Sequence, residues 1–278
     1  MFEGLAPRIV EIADASAEEV RLFSSLTEAQ LRNGFEADAG LFIAESPKVI
    51  DVALRSGYEP IALLTEWHHV RGIAADVINR VGNIPIYVGQ REVLRSITGY
   101  TLSRGVLCAM RRKPLPSLGD ICAEGHRLLV LDGVVDAVNV GAATRSAAAL
   151  NMDALLFTST TCEPLNRRVI RVSMGTIFQM PWTRLGTGEW PASAMTQLRS
   201  MGYKLVAMAL DDRALPFDDS RLAAEPRLAI VMGAEGDGLS RSVIEQCDYV
   251  ARIPMRAGVD SLNVAAAAAL ACWQMRWR

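Results

Sequence analysis

Lysine and histidine are nearly absent from this 278-residue chain, with three of each against 26 arginines. Cysteine is sparse and unpaired: Cys108, Cys122, Cys162, Cys247 and Cys272 are odd in number and form no C-x-x-C pair. That excludes a disulfide scaffold. With so few histidines it also argues against a Cys/His zinc site, so no metal is expected. Reduced, mostly buried thiols of this kind belong to a cytoplasmic protein. Long apolar runs are missing too. The most apolar stretch, residues 264–273, is about half of the ~20 residues a membrane span requires and reads as a buried helix. Glu3, Glu11 and Asp14 interrupt the N-terminus, so no signal peptide is expected. A net charge of −2 excludes an indiscriminate polyanion binder. The arginine bias itself has two readings, genomic composition or a few fork-shaped contacts to phosphate.

What is present is a globular composition, 50% hydrophobic and 22% charged, at a length that favours two domains. The break falls at residues 111–120, RRKPLPSLGD, where prolines, a glycine and a basic triplet interrupt any periodicity. The expected division is a domain over 1–110, a linker over 111–124 and a second domain over 125–278. In the first half, strands are predicted at 41–44, 61–64, 84–88 and 105–110. Ser46-Pro47 should start a helix that runs to 56 and stops at Gly57. Further helices are predicted near 74–79 and over 17–32. In the second half, strands at 127–131, 154–157, 204–208, 228–232 and 249–253 alternate with helices at 139–150, 166–174, 191–201, 240–246 and 261–276. Continuously apolar strands of this kind imply an α/β fold with a parallel sheet covered on both faces.

Ligands of such sheets gather beyond the carboxyl ends of the strands, and three segments place unusual residues there. In LDGVVDAVNVGAATR (131–145), Asn139 is expected to open a helix whose first N–H groups suit an anion. Arg145 is the only charged residue between Asp136 and Asp153; a solvent-facing arginine reads the same way. In MGAEGDGLS (232–240), three glycines within six positions permit close backbone approach. A plain glycine turn would need no Glu235. The spacing is not a dinucleotide fingerprint, which disfavours a nicotinamide-dependent oxidoreductase. In IPMRAGVDSLNV (253–264), Ser261 or Asn263 would cap a helix that continues through five alanines, so close packing is expected.

These segments, in this order, resemble the SpoU (TrmH) family of RNA ribose 2′-O-methyltransferases of the SPOUT superfamily. The matching blocks are Asn139-Val140-Gly141-Ala142 with Arg145, Gly233-Ala234-Glu235-Gly236, and Ile253-Pro254-Met255 with Ser261-Leu262-Asn263-Val264. More weakly, Phe42–Val49 resembles the start of the family's ribosomal-protein-like substrate-binding domain. The resemblance implies a smaller N-terminal α/β substrate-binding domain and a C-terminal SPOUT domain tied in a deep trefoil knot. It implies S-adenosylmethionine as cofactor, a structured RNA substrate (rRNA ahead of tRNA) and a homodimer with its active site near the interface. The implied catalytic set is Asn139, Arg145, Glu235, Ser261 and Asn263. The implied cofactor set is Ala209, Gly233, Ile253, Met255 and Leu262, with residues 207–210 contributing a loop. A non-catalytic RNA-binding module of the same fold is the alternative.

The reaction class requires no metal, because a sulfonium already makes its methyl group electrophilic. A neutral ribose hydroxyl is a poor nucleophile and has to be aligned and deprotonated. Arg145 is expected to hold a phosphate and stabilise alkoxide charge, since a guanidinium stays protonated. For RNA, Arg167, Arg168 and Arg171 fall near one helix face, and Arg111-Arg112-Lys113 forms a second basic group. Either is equally a solvated surface. Trp67 and Tyr58 read as packing residues, and the neighbouring His68 and His69 as surface side chains pointing apart.

Overall fold

The computed structural model describes residues 8–24, 40–258 and 261–276. The chain divides into two compact units, Met1–Lys113 with Leu165–Phe178 and Pro114–Pro164 with Gln179–Arg278.

The first unit contains β1 (Ile9–Ile12), β2 (Leu41–Glu45), α1 (Pro47–Arg55), β3 (Pro60–Glu66), α2 (Ala75–Arg80), β4 (Ile86–Gly89), α3 (Arg91–Thr98) and β5 (Val106–Arg111). Ser46 caps α1 by accepting from Val49 N, and Gly57 follows at φ +75°, a left-handed position that suits glycine. The sheet order is β1-β4-β3-β5-β2. Its first three strands are parallel, whereas β5 pairs antiparallel with both β3 and β2. The first sheet is therefore mixed. The helix expected over 17–32 is a short 3-10 helix at Glu18–Phe23 that buries Val20 and Phe23; residues 25–32 lie outside the described part. Helix α3 and strand β1 were not anticipated, because each is short and interrupted by charged residues.

The second unit contains α4 (Leu118–Cys122), β6 (Arg127–Leu131), α5 (Ala137–Ala149), β7 (Ala154–Phe157), then, beyond α6 (Arg167–Val172), β8 (Trp182–Arg184), α7 (Ala192–Ser200), β9 (Lys204–Met208), β10 (Leu215–Pro216), α8 (Ser220–Ala224), β11 (Leu228–Met232), α9 (Arg241–Gln246), β12 (Tyr249–Arg252) and α10 (Val264–Met275). Helix α6 belongs to the first unit, where it packs on β2 and is followed by Phe178 against Phe42 and Tyr58. The division expected at 125 therefore misses a return of the chain, which an apolar cluster of three aromatic rings stabilises. The linker expected over 111–124 is also corrected. Arg111 ends β5, and residues 118–122 are helical behind a capping box in which Ser117 and Asp120 each bond the other's backbone N–H.

Every pairing in the second sheet is parallel, in the order β10-β12-β9-β11-β6-β7-β8. Strands β6 and β11 at its centre are buried along their whole length, which explains their unbroken apolar runs. The chain steps outward from β6 through β7 to β8, resumes on the other side of β6 with β9, and later inserts β11 between β9 and β6. That reversal is where such sheets place their ligands. Burial pushes the thiols of Cys122, Cys247 and Cys272 up to about 12, so they carry little thiolate. Among the described residues no helix is long and apolar enough to cross a membrane.

The first residue of β6 is the exception to its apolar run. Arg127 is 1% exposed, and its guanidinium donates to four carbonyls: Met275 O at 2.6 Å, His126 O at 3.0 Å, Pro226 O at 3.1 Å and Ala223 O at 3.3 Å. It thereby closes the C-terminal end of α10 and the end of α8 onto the start of β6. Arg127→Met keeps the stem but strands these acceptors. It should cost about 2–4 kcal/mol, read as a lowered midpoint in thermal or denaturant unfolding.

Candidate active site

Helix α5 begins at Ala137, with the Asp136 carboxylate accepting from Val138 N. Asn139 is thus the third helical residue and not the opening one, and its side chain turns inward, 6% exposed. The loop after β11 is drawn tight by Gly238 N donating to Ala234 O at 3.1 Å. Gly233 has no alternative there: a Cβ would lie 2.4 Å from the carbonyl carbon of Gly238. Gly236 and Gly238 sit at φ +88° and +66°, so the three glycines of this segment are each required by backbone geometry.

Asn263 joins these pieces. As N-cap of α10 its Oδ1 accepts from Ala265 N at 3.0 Å and Ala266 N at 3.3 Å. Its Nδ2 donates to Asn139 Oδ1 at 2.9 Å and to Glu235 Oε1 at 2.7 Å. Of the two capping residues expected, Asn263 is the one that caps, and the helix starts at Val264 rather than 261. Helix α10 packs along α5, and alanines on α10 and Gly141, Ala143 and Ala147 on α5 let the two come close.

Beside this junction lies a cavity of ≈ 560 Å³ at the carboxyl ends of β9, β11 and β12. Ala209, Gly233, Glu235, Ile253, Met255, Ser261, Leu262 and Asn263 all line it. The structure thus brings together most residues singled out from sequence. Leu210, at the end of the 207–210 region that the resemblance implies, lines it too, whereas Asp237 lines it and was missed. Leu210 remains 62% exposed. Arg145 is not part of the lining. It is exposed on α5 and makes no hydrogen bond or ion pair among the described residues.

The basic groups are distributed differently from expectation. Arg167 turns inward, its guanidinium donating to the carbonyls of Leu22, Phe23 and Ser24 at 3.3–3.5 Å, which leaves Arg168 and Arg171 as the exposed members of α6. The linker triplet is engaged locally: Arg111 pairs with Glu59, Arg112 donates to Leu41 O, and Lys113 donates to Ser56 O. Tyr58 packs in the aromatic cluster, as expected. His68 is exposed, as expected, and His69 half-buried, but the pair does not point apart: they lie in a 3-10 turn with ring centroids 3.7 Å apart.

A family model described as the SpoU rRNA Methylase family matches residues 126–273. The chain belongs to that family. It is 35% identical over 267 residues to an uncharacterized tRNA/rRNA methyltransferase of Mycobacterium tuberculosis, covering 96% of this chain and 91% of the relative. It is 38% identical over 152 residues to the 23S rRNA (guanosine-2′-O-)-methyltransferase RlmB of Vibrio cholerae, covering 54% of this chain and 59% of that one. Among solved structures, an AdoMet-bound rRNA methyltransferase from Sinorhizobium meliloti superposes with a TM-score of 0.80 at 23% identity, covering 97% of this chain and 98% of that one. The likeness of fold to that structure thus extends through both units. This SpoU family member is a methyltransferase.

The junction at Asn263 can be tested in two steps. Asn263→Ala removes cap and tether together and should lower stability by about 2 kcal/mol. Asn263→Ser restores an acceptor for the helix N–H groups but not the two donors, and should recover about half of that loss in the same unfolding measurement.

Proposed function

We propose that this chain transfers a methyl group from S-adenosylmethionine to the ribose 2′-hydroxyl of one nucleotide in a structured RNA, ribosomal RNA ahead of transfer RNA. The observation that carries this reading is the hydrogen-bonded meeting of Asn139, Glu235 and Asn263 beside a glycine-walled cavity. The lining suits that cofactor. Gly233 lets the loop after β11 close on its own backbone and form one wall, Leu210, Ile253, Met255 and Leu262 supply apolar surface, and Glu235 and Asp237 supply carboxylates toward a ligand with ammonium and sulfonium charge. When bound, S-adenosylmethionine supplies a methyl group made electrophilic by its sulfonium.

The chain's own residues bind, orient and stabilise charge. Asn263 fixes the Glu235 carboxylate through one oxygen and leaves the other for a ligand. Arg145, exposed and without a partner among the described residues, is assigned a substrate phosphate and the charge that develops on the 2′-oxygen. Its guanidinium stays protonated, so it is not assigned removal of the proton. Ser261, exposed on the cavity lining, is assigned a hydrogen bond to substrate or cofactor.

A homodimer completes the reading. Helix α10 turns Leu270 and Trp273 outward at 46% and 55% exposure, and Val135 ahead of α5 is 57% exposed, an apolar surface that suits a second copy. The family's deep trefoil knot is inferred for the second unit. It is supported by a chain that leaves the sheet at β12, outside β9, and returns to lay α10 on α5. The first unit is assigned RNA recognition through Arg168 and Arg171.

The deciding experiment incubates the protein and labelled S-adenosylmethionine with RNA from cells lacking the gene, followed by nucleoside mass spectrometry. A 2′-O-methyl nucleoside at one position is expected. A base-methylated product would exclude the ribose assignment, and RNA binding without incorporation would mark a non-catalytic module. In Arg145→Ala, incorporation should fall by about 10²-fold or more while calorimetric cofactor affinity stays within about twofold of wild type. In Gly233→Ala cofactor affinity itself should fall, because the added methyl displaces the loop. Charge reversal at Arg168 and Arg171 should weaken RNA binding and flatten the log–log salt dependence by roughly 1.4–1.8; an unchanged slope would place the RNA elsewhere.

A further inference from the structure

The turn after β3 gathers side chains that methyl transfer leaves unused. Glu66, the last residue of the strand, is a carboxylate only 4% exposed. His68 and His69 follow in the 3-10 turn Trp67–His69, which sets their rings 46° apart in tilt and side by side. One ligand atom from each of Glu66, His68 and His69 falls within 4.8 Å of the other two.

The surroundings hold this arrangement in place. Val70 N donates to Trp67 O, and both Gly72 N and Ala74 N donate to His69 O at 3.0 Å, so the turn is fixed by its own backbone. Below it, Thr65 Oγ1 donates to Gly105 O at 2.6 Å. Gly105 adopts φ +85°, and a Cβ there would lie 2.5 Å from Ile73 and 3.5 Å from the His69 ring. The absence of a side chain at 105 is what lets the turn and the His69 ring settle where they do. Above the cluster a cavity of ≈ 310 Å³ opens at the carboxyl ends of β3 and β4, with Glu66, His68, Gln90 and Arg91 in its lining.

We propose that Glu66, His68 and His69 form a binding site for one divalent transition-metal ion of zinc type, with its remaining coordination position open to that cavity. Two imidazoles and a carboxylate are a donor set suited to Zn²⁺; Mg²⁺ and Ca²⁺ take oxygen ligands instead. A buried carboxylate is costly without a cationic partner. Arg91 Nε at 3.3 Å and His68 Nδ1 at 3.2 Å both approach the same oxygen, Oε2, which leaves Oε1 for a metal. Arg91 then plays the outer hydrogen-bonding role that ligating carboxylates commonly have.

The test is a Zn²⁺ titration of the full chain by calorimetry in chelator-free buffer, paired with thermal unfolding. One equivalent should bind and raise the unfolding temperature of the wild type. His68→Ala, at an exposed position that leaves the fold intact by circular dichroism, should weaken that equivalent at least tenfold, and His68→Ala with His69→Ala should abolish it. Cobalt(II) should give a visible absorption band in the wild type that the double variant lacks. No Zn²⁺ uptake by the wild type, or the same stoichiometry and affinity in the double variant, would overturn the proposal, the latter by placing the metal elsewhere on the chain.

Discussion

A primary amide has two N–H groups and two lone pairs, and Asn263 uses all four. Its oxygen closes the first turn of α10, while its nitrogen holds Asn139 on α5 and Glu235 in the loop after β11. Three segments far apart in sequence are thereby fixed to one rigid group. Aspartate would keep the cap but set a second carboxylate against Glu235, and serine would lack the donors. Only an amide of this length does both tasks, so the identity of this residue, and with it the position of Glu235 on the cavity lining, follows from hydrogen-bond inventory.

Helix α10 is held at its other end by Arg127, whose Nε donates to Met275 O. Twelve residues of α-helix span about 18 Å, and both termini are thus clamped, one by the exposed Asn263 and the other by the buried Arg127. Between the clamps the helix is largely alanine. Small side chains shorten the distance to α5 and leave little to repack, so displacement at one end has nowhere to be absorbed along the helix. The alanine run is therefore a stiff spacer between the cavity and the start of β6, and not a low-complexity accident.

Much of this was legible before any coordinates. The central strands of the second sheet announced themselves as unbroken apolar runs, and residues 127–131, 154–157, 204–208 and 228–232 are strands with those bounds. Ser46-Pro47 and Gly57 bracketed α1 by cap chemistry alone. Gly233 and Glu235 stood out because glycines and a carboxylate beyond a strand end fit poorly as filler, whereas Ala209, Ile253, Met255 and Leu262 followed only from the family resemblance. What escaped notice depended on distant partners. That α6 leaves the second unit for the first is decided by Phe178 meeting Phe42 and Tyr58, a contact with no local periodicity. The histidine pair escaped because a 3-10 turn, unlike an α-helix, brings neighbouring rings together. Asn139 was misplaced by two residues because Asp136 is an equally good cap three positions earlier.

The arginine bias also takes on a different meaning. A guanidinium presents several N–H groups in a planar fork, so one side chain reaches carbonyls that no single ammonium can span. This chain uses that property on itself. Arg127 gathers four carbonyls, Arg167 three, Arg184 those of Ser159 and Thr161 beside the Glu163 carboxylate, and Arg227 those of Met201 and Ala123. Each closes a loop or helix end by donating to its carbonyls. Part of the excess over lysine is therefore architectural, spent on backbone rather than on phosphate. Arg145 and Arg171 are exposed and hold no such carbonyl among the described residues. A near-neutral chain can still grip a polyanion if such exposed forks are focused at one place, because affinity for phosphate depends on local contacts and not on net charge.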